Sequence, residues 1–185
     1  MKKFIALAVV AFASSTSAVA QSSSNIYGEA AYAVVTAKDT SATNNVGTFK
    51  PTLARFALGT VVRENLAVEG FLMQGLSNDS KKIMGANVDV KTNTGYGIAV
   101  RPFVKLSDEI ELFGRVGSVR NEIAVTVSAN GSSMSTTSKS TNTLYGAGVA
   151  FKINKDSSAF VDYTKLSNKD DTDASILAVG LRFNF

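Results

Sequence analysis

From Ala174 to Phe185 the chain changes chemistry at every step. Leu177, Val179, Leu181, Phe183 and Phe185 fall on one side, while Ala178, Gly180, Arg182 and Asn184 fall on the other. Successive strand side chains point to opposite faces, so this segment is a β-strand with one apolar face. The same pattern recurs in eight segments, at about residues 25–37, 52–63, 66–77, 88–106, 110–127, 141–153, 158–167 and 174–185. No segment after residue 20 keeps an apolar stripe at helical spacing for three turns. With 185 residues in all, the chain is the size of one domain.

The connections alternate in length. Glu64-Asn65, Ser107-Asp108-Glu109 and Asn154-Lys155-Asp156-Ser157 read as tight turns, whereas residues 38–51, 78–87, 128–140 and 168–173 are longer or more polar. In an up-and-down meander this alternation puts every tight turn at one end and every long loop at the other. Within the third long connection, Asn130-Gly131 lies between extended residues that include Val125 and Val127. Asn-Gly in that setting supplies the positive φ angles of a hairpin turn, so the fifth and sixth strands are expected to run on as a ribbon. The outer half of the Ser132 to Thr143 stretch also reads as a low-complexity loop.

Alternation by itself suits a soluble barrel with its apolar face inward as well as a membrane barrel with that face outward. The second face decides. It carries Gly and Ala at many positions, with Arg55, Arg101, Arg115, Lys152 and Arg182 against Glu29, Glu69, Glu111 and Asp162. Small residues suit a narrow interior, and glycine would weaken a water-facing strand without return. Charges enclosed there must pair, because an isolated buried ion costs several kcal/mol or more. These nine residues are therefore the candidate interior ion network. The apolar set has no charge in its central stretches, as a lipid-facing surface requires. Tyr27, Tyr163, Phe183 and Phe185, towards strand ends, are expected in the interfacial aromatic girdles. A sheet in lipid must close to pair its edges. The expectation is an all-β, eight-stranded antiparallel up-and-down transmembrane β-barrel, whose lumen side chains can fill.

Residues 1–20 are set apart from that fold. Lys2 and Lys3 precede the apolar run from Phe4 to Ala13, and Ala18-Val19-Ala20 follows. This is the three-part pattern of a secretory signal peptide cleaved after Ala20, leaving residues 21–185 as the barrel domain. The run is too short to be a membrane-spanning helix. Removing both lysines lowers the net charge from +4 to +2, and the remaining cations are scattered, so no nucleic-acid partner is expected. The sequence contains no Cys, His or Trp. Thiolate chemistry and the commonest general base and metal ligand are absent with them, so neither a catalytic residue, a metal site nor a cofactor is expected. Asp170, Asp171 and Asp173 cluster in one loop but lack the spacing of a calcium-binding loop.

Together these residues resemble the small eight-stranded outer-membrane barrels of Gram-negative bacteria, the opacity-type proteins, the outer-membrane protein X group and the barrel domain of outer-membrane protein A. Leu144-Tyr145-Gly146-Ala147-Gly148-Val149 and Val179-Gly180-Leu181-Arg182-Phe183 are similar to that family's Gly-and-aromatic strands. The resemblance implies an outer-membrane location with long loops outside and turns in the periplasm. It also implies an assembly signal in Leu181, Phe183 and Phe185, read by the outer-membrane assembly machinery, and no enzyme. Two functions are then open. One is a structural scaffold with a charge-plugged interior that displays loops to lipopolysaccharide, other cells or a host ligand. Lys38, Lys50, Lys81, Lys82, Lys91 and Lys139 are candidates to meet lipid phosphates. The other is a narrow porin-like channel for ions or small solutes.

Overall fold

The computed structural model describes residues 25–39, 48–83, 85–129, 132–167 and 172–185. Its strands are β1 (Ile26–Asp39), β2 (Thr48–Phe49), β3 (Thr52–Arg63), β4 (Leu66–Ser77), β5 (Asp79–Ile83), β6 (Ala86–Lys105), β7 (Ile110–Ala129), β8 (Ser132–Lys152), β9 (Ser157–Ser167) and β10 (Thr172–Asn184). β1, β3, β4, β6, β7, β8, β9 and β10 pair in that order, all antiparallel. β10 returns to β1, in register from Tyr27↔Asn184 to Asp39↔Thr172. The eight strands therefore form a closed barrel, and closure leaves no unpaired edge around its wall.

Tight turns hold one end. Ser107 Oγ accepts the backbone N–H groups of Glu109 and Ile110 at 3.3 and 3.1 Å. Asn154 Oδ1 accepts those of Asp156 and Ser157 at 3.0 and 2.9 Å. Such side-chain acceptors make the chain reverse locally.

The other end extends beyond the barrel. Residues 78–87 form a long connection in the sequence, yet β5 pairs with the far part of β6. β7 and β8, expected to run on as a ribbon, stay paired from Ile110↔Phe151 to Ala129↔Ser132. Gly85, at φ 85°, occupies the turn between β5 and β6, where the left-handed backbone favours glycine. The far part of β6 also pairs with β7, from Thr92↔Ile123 to Asn87↔Ser128. The result is a four-stranded sheet, β5-β6-β7-β8, standing beyond the barrel. Its Ser and Thr residues hydrogen-bond as readily in strands as in loops, so polar composition left the outer half of the ribbon open between the two.

Burial alternates along the barrel strands. Leu72, Ile98, Val116 and Val179 point outward and are 63, 68, 54 and 58% exposed, while Ala33, Ala67 and Ala178 are buried inside. A belt of apolar side chains this exposed is stable facing lipid and not water. The interior also holds rings. Phe71, Phe113 and Phe160 are buried there with Leu53, Met73, Val119, Leu144 and Ile176. Glycines make the room: a Cβ on Gly148 would lie 2.5 Å from the Phe113 ring, and one on Gly180 2.7 Å from Phe160. Tyr27 corrects an expectation. It lies in the lumen, 3% exposed, because it shares strand parity with inward Glu29, Ala31 and Ala33. Tyr163, Phe183 and Phe185 face outward.

Candidate functional site: the lumen network and the sheet beyond it

Seven of the eight barrel strands send charge into the lumen: Glu29 from β1, Arg55 from β3, Glu69 from β4, Arg101 from β6, Glu111 and Arg115 from β7, Asp162 from β9 and Arg182 from β10. Arg115 is the hub. Its Nη2 donates to Glu29 Oε2 at 2.8 Å, its Nε to Glu69 Oε2 at 2.6 Å and its Nη1 to Asp162 Oδ2 at 3.0 Å. Arg182 donates to Glu29 at 2.7 Å and to Glu111 at 2.8 Å. Arg101 donates to Glu111 at 2.6 Å, and its Nε stands 3.4 Å from Glu69 without hydrogen-bond geometry. Arg55 grips Asp162 through both guanidinium Nη atoms.

All of these groups but the part-buried Glu111 are shut away from water, and only an equal count of opposite charge with near-complete hydrogen bonding offsets that loss. Four guanidinium groups meet four carboxylates, so the cluster is neutral. Neutral neighbours complete it: Tyr27 donates its hydroxyl to Glu69 at 2.7 Å, and Thr164 donates to Asp162 at 3.3 Å. Rings supply the rest. The Arg101 guanidinium lies 4.0 Å from the Phe113 ring centre, and that of Arg182 lies 4.9 Å from that of Tyr27. Such stacking favours a desolvated guanidinium.

Lys152 stands apart. It shares the inward parity of Gly148 and Ala150, but it is the last residue of β8, at the turn end, and is exposed. Parity selects a face and says nothing of height, so Lys152 reaches water instead of a partner. We predict that Lys152→Ala changes unfolding stability by less than about 0.5 kcal/mol, as surface changes usually do. Urea titration of the refolded barrel checks this.

Beyond the barrel, Val125 pairs across from Thr136 and Val127 from Met134. These side chains share a face with Val88 and Val90 of β6. The opposite face is polar, with hydroxyl pairs Thr126–Ser135 at 3.1 Å and Ser128–Ser133 at 3.3 Å. Glu122 sits at the base of this polar face, accepting from Asn93 at 2.8 Å and paired with Lys139 at 3.3 Å. The Asn93 amide and the Lys139 ammonium hold its carboxyl below the usual carboxylate range. Tyr27, Asn93 and Glu122 were missed by the sequence reading. Parity with Glu29 marks Tyr27, while the other two meet only through strand register. Asn130, Gly131, Asp170, Asp171, residues 1–20 and the Lys38 side chain lie outside the described residues. Leu181 and Phe183 point outward on β10, and Phe185, one residue past its end, is exposed as well.

The family model for the outer membrane protein beta-barrel domain matches residues 4–185. The chain belongs to this family. Solved barrels share its fold. Ail, the attachment invasion locus protein of Yersinia pestis, is 18% identical with a TM-score of 0.62, over 89% of this chain and 100% of Ail. Neisserial surface protein A is 14% identical with a TM-score of 0.62, over 89% and 100%. The N-terminal barrel of Pseudomonas aeruginosa OprF is 8% identical with a TM-score of 0.53, over 85% and 97%. No curated protein matches the chain. Membership places the barrel in the outer membrane and its apolar belt against lipid.

Proposed function

We propose that this barrel is a non-enzymatic outer-membrane scaffold, plugged by its charge network, that presents its four-stranded sheet outside the cell for surface attachment. The observation that carries the reading is the division of the chain. Paired ions, rings and aliphatic side chains line the lumen, while β6, β7 and β8 each continue into a sheet that membrane spanning does not need. From Ser132 to Asn142, β8 runs past its pairing with β9. That is roughly 35 Å of strand at about 3.3 Å per residue. Residues 1–20 belong to the same reading as an export signal, and Leu181, Phe183 and Phe185 as the assembly signal. A related barrel lends support to a sulfated surface ligand: Ail has been crystallised with the heparin analogue sucrose octasulfate.

The test shortens the sheet. Residues 124–137 are removed and Ile123 is joined to Ser138, its cross-strand partner, through Asn-Gly, which suits a two-residue hairpin. Heat-modifiable gel mobility is expected to stay as in the parent, because the barrel pairs are untouched. Attachment of bacteria displaying the protein to cultured epithelial cells and to heparin-coated plates is expected to fall to background. Undiminished attachment to both would remove the sheet from the account. The intact barrel is also expected to be silent in planar bilayers, where reproducible discrete openings would favour the channel reading.

A further inference from the structure

The ladders of the barrel wall end at different heights. β3 and β4 part beyond Thr52↔Ser77. Past that rung the chain passes from β4 into β5, which pairs with β6, and β3 is entered from β2, which pairs with β1. No ladder joins β2 to β5 among the described residues, so a seam opens in the wall where the four-stranded sheet begins. The sheet's other side is open too, since the β8–β9 ladder stops at Thr143↔Ser167. Its backbone is therefore continuous with the barrel only at its base, and a sheet held along one edge bends most easily about that edge.

The base is shaped for such bending. The β6–β7 ladder shifts register between Thr92 and Gly95, and an irregularity of this kind bends its strand. A Cβ on Gly75 would overlap the Thr92 carbonyl oxygen, so β6 crosses hard against the end of β4. Two contacts then bridge the seam. The Lys50 backbone N–H donates to Asp79 Oδ2 at 2.7 Å, and the Lys81 ammonium lies 5.4 Å from the Phe49 ring centre. Asp79 and Lys81 share the part-buried face of β5, whereas Ser80 and Lys82 share its exposed face. Their partners are held firmly. Phe49 is 6% exposed and pairs with Ala37 of β1, and the Val35 N–H donates to the carbonyl of buried Pro51 at 2.9 Å. A carboxylate on a backbone N–H and a cation over a ring both hold without needing a strand ladder.

We propose that Asp79 and Lys81, gripping Lys50 and Phe49 across the seam, form a latch that fixes the inclination of the outer sheet over the barrel mouth. For a surface that attaches to other cells, a fixed inclination removes an ordering cost from binding. That consequence rests on the attachment reading given above, whereas the latch itself does not.

The experiment reads the inclination directly. The chain has no Cys, so spin labels on Thr137→Cys of β8 and Thr36→Cys of β1, across the mouth, are the only two in the refolded barrel. Double electron–electron resonance on this labelled parent is expected to give one narrow distance. Adding Asp79→Ala with Phe49→Ala is expected to abolish that narrow distance in favour of a broad distribution, with heat-modifiable gel mobility unchanged. Asp79→Asn keeps an acceptor oxygen, and Lys82→Ala lies on the other face of β5, so each should retain the narrow distance. A narrow distance in the Asp79→Ala, Phe49→Ala variant, or a broad one in the parent, would overturn the latch. Loss of the compact gel band in that variant would also overturn it, by showing that these residues hold the barrel and not the sheet alone. No ligand is present in the measurement, so failure of the latch and failure of the attachment reading are separate results.

Discussion

Arg115→Leu is expected to lower the unfolding free energy of the refolded barrel by about 3–5 kcal/mol, the usual cost of leaving buried partners unpaired. Arg115 is nearly fully enclosed and donates to Glu29, Glu69 and Asp162. Its removal leaves three guanidinium groups facing four carboxylates. The remaining arginines reach each acid, but none can neutralise the excess negative charge. The measurement is a urea titration in lipid vesicles followed by gel mobility, since the chain has no Trp to serve as a fluorescent reporter. A second variant separates charge from packing. Arg115→Leu combined with Glu69→Gln restores an equal count while keeping the volume near Glu69, and should recover part of the loss. A double variant as unstable as the sum of its parts would mean that Arg115 acts by packing alone.

Gly148→Val is the second large effect. Gly148 faces the lumen beside Asp162, its register partner on β9. A Cβ there would lie 2.5 Å from the Phe113 ring, 2.6 Å from the Val161 carbonyl oxygen and 2.7 Å from Asp162 Cβ. Two of these neighbours belong to the adjacent strand and cannot withdraw without opening the ladder, so the strain exceeds the ~1–3 kcal/mol of ordinary overpacking. Loss of the compact, heat-modifiable gel band is the expected result. Gly70→Val is the comparison. Its Cβ would meet nothing within 4 Å on the outward face, and the variant should refold like the parent. Equal refolding of both variants would show that the lumen yields more than its packing implies.

The alternating residues were enough to read the barrel, because a period of two with one apolar face has few stable outcomes and closure in lipid leaves one. Parity nominated nine charges, of which eight meet in the lumen and Lys152, at the turn end, is exposed. What parity could not reach was the pairing. Arg115 joins Glu29, Glu69 and Asp162 from three other strands, and the separation of those strands across the lumen depends on barrel curvature. The aromatic filling was legible by the same parity, since Phe113 alternates with Glu111 and Arg115, and Phe160 with Asp162. What register added is the glycine across from each ring, Gly148 and Gly180.

The polar connections show the same division. Ser, Thr and Asn carry little local preference that separates a solvent-exposed strand from a loop, so Ser132–Asn142 was ambiguous by composition. Only its partners on β7, with β6 and β5 beyond, hold it extended. The order of residues along the chain therefore decided which face each side chain would take, since that follows from the alternation of one strand. The closing of the sheet decided which side chains meet, since distances across a lumen or between neighbouring strands arise from register and curvature that no single strand contains.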